Sequence, residues 1–460
     1  MSQLPDYYMP HYATNGRAWG RLFPESCHDT VSYLTVYLLL LMLIPSSLVF
    51  TPLGGIGTPA VVLSFIIVLW YLASWILERT VPSRSGRPVR LAMLGFTLAV
   101  FASFVAAMTR DTPEVEFLGA ERALVTVASW AGIMIVVSQS LTSYNRLDTL
   151  LRRMVILGSV VAAIGIFEFY SGINITNYIH LPGFSANIDY NTLLSRDAFN
   201  RPSSTAIDPV EFGVVMAILL PFALQQALDP ARSGILRKWL PVTLITFAIP
   251  ITVSRSGVLG AAVGLMFLVP TWKPRQIGTF WAFFPAGLVV LKIAAPGLIG
   301  TLLGYFNLLF GGADPSITSR TGAVSRNWQY IVERPIFGRG FGTFLPQTYS
   351  YTDNMYLQML IGAGIVGLVA LICLYLAGIQ CAATGRRFTH DETRRGVGQA
   401  IVASLVVAMV GSATFDSLGF PMFAGLVILM LGIAGAYPGI MAEENKFVSI
   451  PSQRSSKMVW

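Results

Sequence analysis

The chain has 460 residues, of which 54% are hydrophobic and only 12% are charged. Soluble domains carry roughly 25% charged residues, so this composition excludes an ordinary soluble enzyme and indicates a membrane-embedded chain. The net charge of +8 does not require nucleic acid, and no nucleic-acid partner is expected; basic loops on the cytoplasmic side of a membrane account for it.

The first 30 residues are polar and irregular, with Pro5, Pro10 and Pro24. The apolar run that follows lacks a small-residue cleavage site, which favours a retained helix over a signal peptide. Apolar pieces of about 20 residues then recur along the chain. They predict an all-α integral membrane protein of about twelve transmembrane helices, at 31–50, 58–77, 90–109, 122–142, 152–171, 209–228, 236–253, 255–270, 277–296, 354–380, 397–414 and 419–437. The whole of 1–460 reads as one polytopic membrane domain with no soluble module.

Basic residues set the orientation. Arg87, Arg90, Arg152, Arg153, Arg386, Arg387, Arg394 and Arg395 are among the 21 of 31 Lys and Arg residues that fall on one side. The short loop near 110–121, on the other side, carries Asp111, Glu114, Glu116 and Glu121. This asymmetry predicts a multi-pass protein of the cytoplasmic membrane with both termini cytoplasmic. Of the three cysteines, Cys27 is on the inner side and Cys373 and Cys381 fall in or just after one span, which excludes a disulfide framework and a cysteine-based metal site.

Two outer segments stand apart by length. The first, 172–208, holds His180, Arg196, Arg201 and Asp208. The second, 297–353, begins with an apolar run at 298–310, predicted as an interfacial helix, and then turns polar and aromatic. Loops this long are either functional or disordered. Trp328, Tyr330, Phe337, Phe341, Phe344 and Tyr349 argue against disorder.

The outer arginines carry the chemistry. Arg196 and Arg201 precede Pro202-Ser203-Ser204, Arg255 sits in a tight turn between two spans, and Arg320, Arg326, Arg334 and Arg339 lie in the second loop. Guanidinium forks match phosphate oxygens and keep their charge; the bland alternative is that each pairs with a carboxylate or a lipid headgroup. The glycines of Gly338-Arg339-Gly340-Phe341-Gly342 either expose backbone N–H groups to an anion or make a tight turn back to the membrane. Asp208-Pro209-Val210-Glu211 reads as a helix start with Asp208 at the cap and Glu211 at the third position, so both are capping or catalytic. Asp353 likewise is an N-cap or a base for a reacting hydroxyl. Glu168 and Asp416 are further outer carboxylates, and His180 is the only outer histidine.

Together these segments resemble the O-antigen ligase and polymerase (Wzy-like) superfamily. The resemblance rests on Ser319-Arg320-Thr321, Trp328, Glu333-Arg334-Pro335 through Gly342, Asp353-Asn354-Met355-Tyr356-Leu357 and Gly364 to Leu368, with Ser254-Arg255-Ser256-Gly257 and Arg201 to Gly213 before them. It implies a GT-C-like, metal-independent, inverting glycosyltransferase without a cofactor. Such enzymes move glycan from a polyprenyl-pyrophosphate-linked oligosaccharide donor to a glycan or lipid acceptor on the outer face of the bilayer. Arg255, Arg320, Arg339 and Arg201 would hold the pyrophosphate, and Asp353 or Glu211 would serve catalysis. The family usually has His-Asn where this chain has Asp353-Asn354. Two rival readings are a lipid-linked glycan transporter, for which the lone intramembrane Lys292 is a candidate charge, and a non-catalytic scaffold of a cell-envelope polysaccharide complex.

The outer segments hold no cluster of hard oxygen ligands of the kind that Mg²⁺ or Mn²⁺ sites use. Glycan transfer by the purified protein should therefore persist in EDTA. Loss of transfer in EDTA that Mg²⁺ or Mn²⁺ restores would overturn the metal-independent reading.

Overall fold

The structure, a computed structural model, describes residues 30–52, 57–78, 86–179, 181–186, 194–196, 199–294, 325–346 and 348–448. Arg320, His180 and the predicted interfacial helix at 298–310 lie outside the described residues. In a bilayer every backbone polar group must be satisfied within the protein, so apolar runs of this length fold as helices. They are α1 (Thr30–Met42), α2 (Pro59–Glu78), α3 (Arg87–Met108), α4 (Glu114–Ser140), α5 (Tyr144–Ser171), α6 (Pro209–Leu228), α7 (Ile235–Ile251), α8 (Arg255–Leu268), α9 (Pro274–Ala294), α10 (325–333), α11 (Met355–Gly385), α12 (Glu392–Gly411) and α13 (Pro421–Val448). Among the described residues, seven helices are long and apolar enough to cross a membrane: those beginning at Arg87, Glu114, Tyr144, Pro209, Met355, Glu392 and Pro421. Apolar helices at Thr30–Met42, Pro59–Ala73 and Arg255–Thr271 are shorter.

The first predicted span, 31–50, is not one helix. α1 stops at Met42, and Pro45 follows; proline cannot donate to a helical ladder and clashes with the preceding turn. Leu48–Phe50 instead forms a strand, paired antiparallel with Phe184–Ala186 of the first long loop. A second ribbon joins Leu194–Arg196 to Phe199–Arg201. The all-α expectation thus fails at the end of the first predicted span and in this loop.

α6 and α13 occupy the middle of the bundle. Every residue from Glu211 to Leu224 and from Met422 to Tyr437 is buried, as expected of helices that are apolar all round. Small residues let α8 approach α6 closely: Gly257 lies against the Gly213 backbone, Gly260 against Ala217 and Gly264 against Pro221. This crossing sets the start of α8 beside the start of α6.

The two ends of the bundle differ. At one end Arg232 pairs with Asp148, Arg394 with Glu444 and Lys273 with Glu392. At the other end, where both long loops open, Thr205 Oγ1 donates to the Met42 carbonyl at 2.5 Å and Met355 N to the Ser412 carbonyl at 2.8 Å.

α11 is interrupted near its first third. Gly364 has φ 65, ψ −167, which breaks the helical ladder. The orphaned groups are taken up by the chain at 335–341: Ile365 N and Val366 N donate to the carbonyls of Pro335 and Ile336 at 2.9 and 3.3 Å, and the carbonyls of Ile361 and Gly362 accept from Arg339 N and Gly340 N at 3.0 and 2.8 Å. Ser103 of α3 completes the joint, donating to the Gly362 carbonyl and accepting from Phe341 N, both at 2.8 Å.

A Cβ on Gly364 would overlap the Ile336 carbonyl, and one on Gly338 the Gly362 carbonyl. Gly364→Ala adds the left-handed backbone cost to that overlap and should lower stability by about 2 kcal/mol or more. Gly95 of α3 is exposed, and a methyl group added there would meet nothing within 4 Å, so Gly95→Ala should be stabilising by about 0.5–1 kcal/mol. Thermal unfolding of the two variants in detergent checks both signs.

Candidate functional site

Four chain segments meet at the end where the long loops open: 201–211, 252–257, 352–358 and 412–422. In the first, the stretch before α6 is buried at Ser204, Thr205 and Ala206 although it lies outside a helix. Its polar groups are accounted for. Ser204, at φ 54, donates its N–H to Glu168 Oε2 at 2.7 Å and its hydroxyl to the Val161 carbonyl at 2.8 Å. Glu168 also accepts from Ile175 N at 3.2 Å, so this carboxylate fastens the loop to the end of α5.

Asp208 caps α6 as the sequence indicated, accepting from Val210 N at 2.7 Å. Glu211 is fully buried. Its Oε2 accepts from Ile207 N at 2.8 Å, and its Oε1 accepts from Met422 N and Phe423 N at 2.9 and 3.0 Å. Of the two roles expected for Glu211, this is the capping geometry: one carboxylate steadies the entry to α6 and the first N–H groups of α13.

Arg201, at the end of the second ribbon, donates from Nε to the Thr252 carbonyl at 3.2 Å. Thr252 opens the turn before α8, where Val253 has φ 50 and Ser254 caps the helix, accepting from Gly257 N at 3.4 Å. Arg255 is the first residue of α8 and is half-buried. Arg201 and Arg255 are thereby carried on adjoining segments.

The cap of α11 is Asn354, whose Oδ1 accepts from Tyr356 N and Leu357 N at 3.0 and 3.3 Å. The alternative of Asp353 as the N-cap is thus corrected by one residue. Asp353 is exposed and holds φ 48, a conformation that L side chains rarely adopt. Asp416, from the turn between α12 and α13, fixes this bend: its Oδ1 accepts from Thr352 Oγ1 at 2.5 Å and from Asn354 N at 3.1 Å. The Asp416 carboxyl is pushed above the ordinary carboxylate range by burial, against its hydrogen bonds, with the Asp353 charge adding to the rise. Asp208 is raised in the same way, chiefly by burial; Arg201 opposes the shift and Asp353 again adds to it. Three carboxylates from three segments therefore share one electrostatic environment.

The remaining expected residues stand on other segments. Arg334 NH1 donates to the Ala106 carbonyl and to Thr109 Oγ1, both at 2.9 Å, and so caps the C-terminus of α3. Arg196 stands on the second ribbon. Arg339 is enclosed by aromatic rings, its Cζ 4.7 Å from the centroid of Tyr330 and 5.3 Å from that of Tyr349. Its NH2 donates to Tyr349 Oη at 3.0 Å; Tyr349 Oη donates to Glu116; Glu116 pairs with Arg110; and Arg110 Nε returns to the Arg339 carbonyl at 3.2 Å. Burial and the Glu116 hydrogen bond both push the Tyr349 phenol up. This closed ring was missed from sequence, because nothing local links Glu116 to a tyrosine in a distant loop.

The reading of Gly338-Arg339-Gly340-Phe341-Gly342 as an anion cradle is also corrected. Gly338 N donates to the Arg334 carbonyl at 3.1 Å, and the next three N–H groups go to Ile361, Gly362 and Ser103. The glycines, all at positive φ, serve close packing: Gly338 against the Gly362 backbone, Gly340 against the Ala107 side chain and Gly342 against the Gly119 backbone.

The O-antigen ligase family model matches residues 240–372, from α7 through the break in α11. The match bears out the resemblance of this segment to the O-antigen ligase superfamily and accords with a multi-pass membrane protein. No curated protein matches the chain.

Replacing the Glu211 carboxylate by an amide would set an N–H₂ group against backbone donors in a buried site. Glu211→Gln should therefore cost about 1–3 kcal/mol of stability, read as a lowered melting temperature at neutral pH. An unchanged melting temperature would show that the three backbone contacts contribute little.

Proposed function

We propose that this protein is a glycosyltransferase that polymerises or ligates glycan from a polyprenyl-pyrophosphate donor at the outer face of the cytoplasmic membrane, with both termini cytoplasmic. The family match at 240–372 supports the reaction class. The observation that carries the residue assignment is the division of labour between Asp353 and Asn354: the amide caps the helix, which leaves the exposed carboxylate free of that duty.

In this reading the acceptor hydroxyl oxygen attacks the anomeric carbon of the donor sugar from the face opposite the pyrophosphate. The new glycosidic C–O bond forms as the bond to the pyrophosphate breaks, and the configuration inverts. Asp353 takes the hydroxyl proton; the leaving polyprenyl pyrophosphate carries away the electron pair. Arg201 and Arg255, on adjoining segments, stabilise the charge that develops there, with Arg320 and Arg339 as further pyrophosphate ligands. The start of α8 adds its positive helix end, and such preorganised donors are worth most where water is excluded. Arg339 enters this scheme through the donor capacity that Tyr349 and Glu333 do not take.

Lipid-linked oligosaccharide and purified protein test the assignment. Asp353→Asn keeps the size of the side chain and removes its proton affinity, so turnover should fall by roughly 10²-fold or more while the melting temperature stays put. Asp353→His restores a base with an unperturbed pKa of about 6.5 and should retain activity. Arg255→Ala should abolish transfer and Arg255→Lys should rescue it poorly, since a point charge lacks the bidentate fork. An Asp353→Asn protein that turns over at the parental rate removes Asp353 from the mechanism. Movement of donor across vesicles without bond formation would favour a transporter.

A further inference from the structure

We infer that residues 325–342 form an element seated in the bilayer, with α10 lying at the membrane–water boundary and the turn after it dipping beside α3 and α11 into the hydrocarbon. The occupant of its exposed apolar face is membrane lipid.

α10 has three faces. Asn327 and Ile331 are buried, and Ile331 packs with Phe344, Leu357 and Ile361 against the rest of the protein. Arg326, Gln329 and Glu333 follow one another at helical spacing and are exposed. Trp328 and Val332, four residues apart, are each 57% exposed, and the stripe continues into Ile336 at 56% and Phe337 at 43%. One polar and one apolar exposed stripe on the same short helix is the pattern of a helix lying in an interface, and tryptophan favours that depth.

The backbone contacts give the depth of the turn. Pro335 and Ile336 bond to the N–H groups of Ile365 and Val366, ten residues into α11. At 1.5 Å per residue this is about 15 Å below the helix start. On the α3 side, Phe341 is held by Ser103, five residues before the helix end, or about 8 Å below it. The apolar stripe is also continuous with exposed apolar surfaces of two helices long and apolar enough to cross a membrane. α3 exposes Leu94, Leu98, Phe101 and Val105, and α11 exposes Ile365 and Val369. Arg334 joins the turn to the first of these helices, and the Gly364 break joins it to the second. Irregular backbone is tolerated at such depth only when its polar groups are paired with protein, as the N–H groups of 338–341 and the carbonyls of 335 and 336 are here.

The test reads depth and is independent of the transfer reaction. In a full-length chain with Cys27→Ser and Cys373→Ser, the buried Cys381 is left in place. Single cysteines are introduced as Gln329→Cys, Val332→Cys and Ile336→Cys, labelled with an environment-sensitive NBD fluorophore and reconstituted into phosphatidylethanolamine–phosphatidylglycerol vesicles. Labels at 332 and 336 should be quenched by doxyl-labelled lipid and be severalfold less sensitive to aqueous iodide than the label at 329. Should labelling at 332 perturb the helix, seen as aggregation on size exclusion, Trp328→Cys gives the same face. Iodide quenching at 332 and 336 equal to that at 329 would overturn the proposal. So would protection from both quenchers, which would mean that a protein partner covers the stripe.

Discussion

A polar backbone in an apolar medium is the constraint on which this structure turns. Breaking α11 at Gly364 frees carbonyls at 361 and 362 and N–H groups at 365 and 366 inside the bundle, where water cannot satisfy them. Each would cost several kcal/mol if left alone. The chain answers with backbone from 335–341 and one hydroxyl from Ser103. Gly338 and Gly364 follow from that answer, because two main chains can meet so closely only where side chains are missing. The second long loop is therefore built into the bundle from 335 to 342.

The same rule governs the other end of the site. The stretches before α6 and before α11 are not helical, and three carboxylates supply partners that a helix would have supplied. Glu168 serves Ser204 and Ile175, Glu211 serves Ile207 and α13, and Asp416 serves Thr352 and Asn354. In each case an acidic side chain receives at least one main-chain donor from a second segment. Asp353 differs, standing exposed beside them, and this contrast sets it apart as the reactive candidate.

Much of the bundle was legible in the sequence because membrane spans are long and their signal is local. Asp208 was legible for the same reason: Asp-Pro-x-Glu at the start of an apolar run encodes a helix start within four residues. The break at Pro45 was foreseeable as a weakness, yet the strand at 48–50 was not, since its partner lies beyond residue 180. The cap of α11 was displaced by one residue because Asp and Asn cap about equally well, and Asp416, more than sixty residues away, holds the bend. The glycine motif was visible, but its purpose depends on Ser103 and Gly362, which no local pattern connects to it.

The ring of Arg110, Glu116, Tyr349 and Arg339 has a practical consequence for comparing or recombining such proteins. It ties the turn between α3 and α4 to a loop more than two hundred residues later. A chimera that imports the stretch from 325 to 349 alone would leave Glu116 and Arg110 facing foreign side chains in a nearly dry site. The exchangeable unit is discontinuous, comprising that loop together with the α3–α4 corner, and the boundaries of a successful swap follow the hydrogen-bond circuit and not the order of the chain.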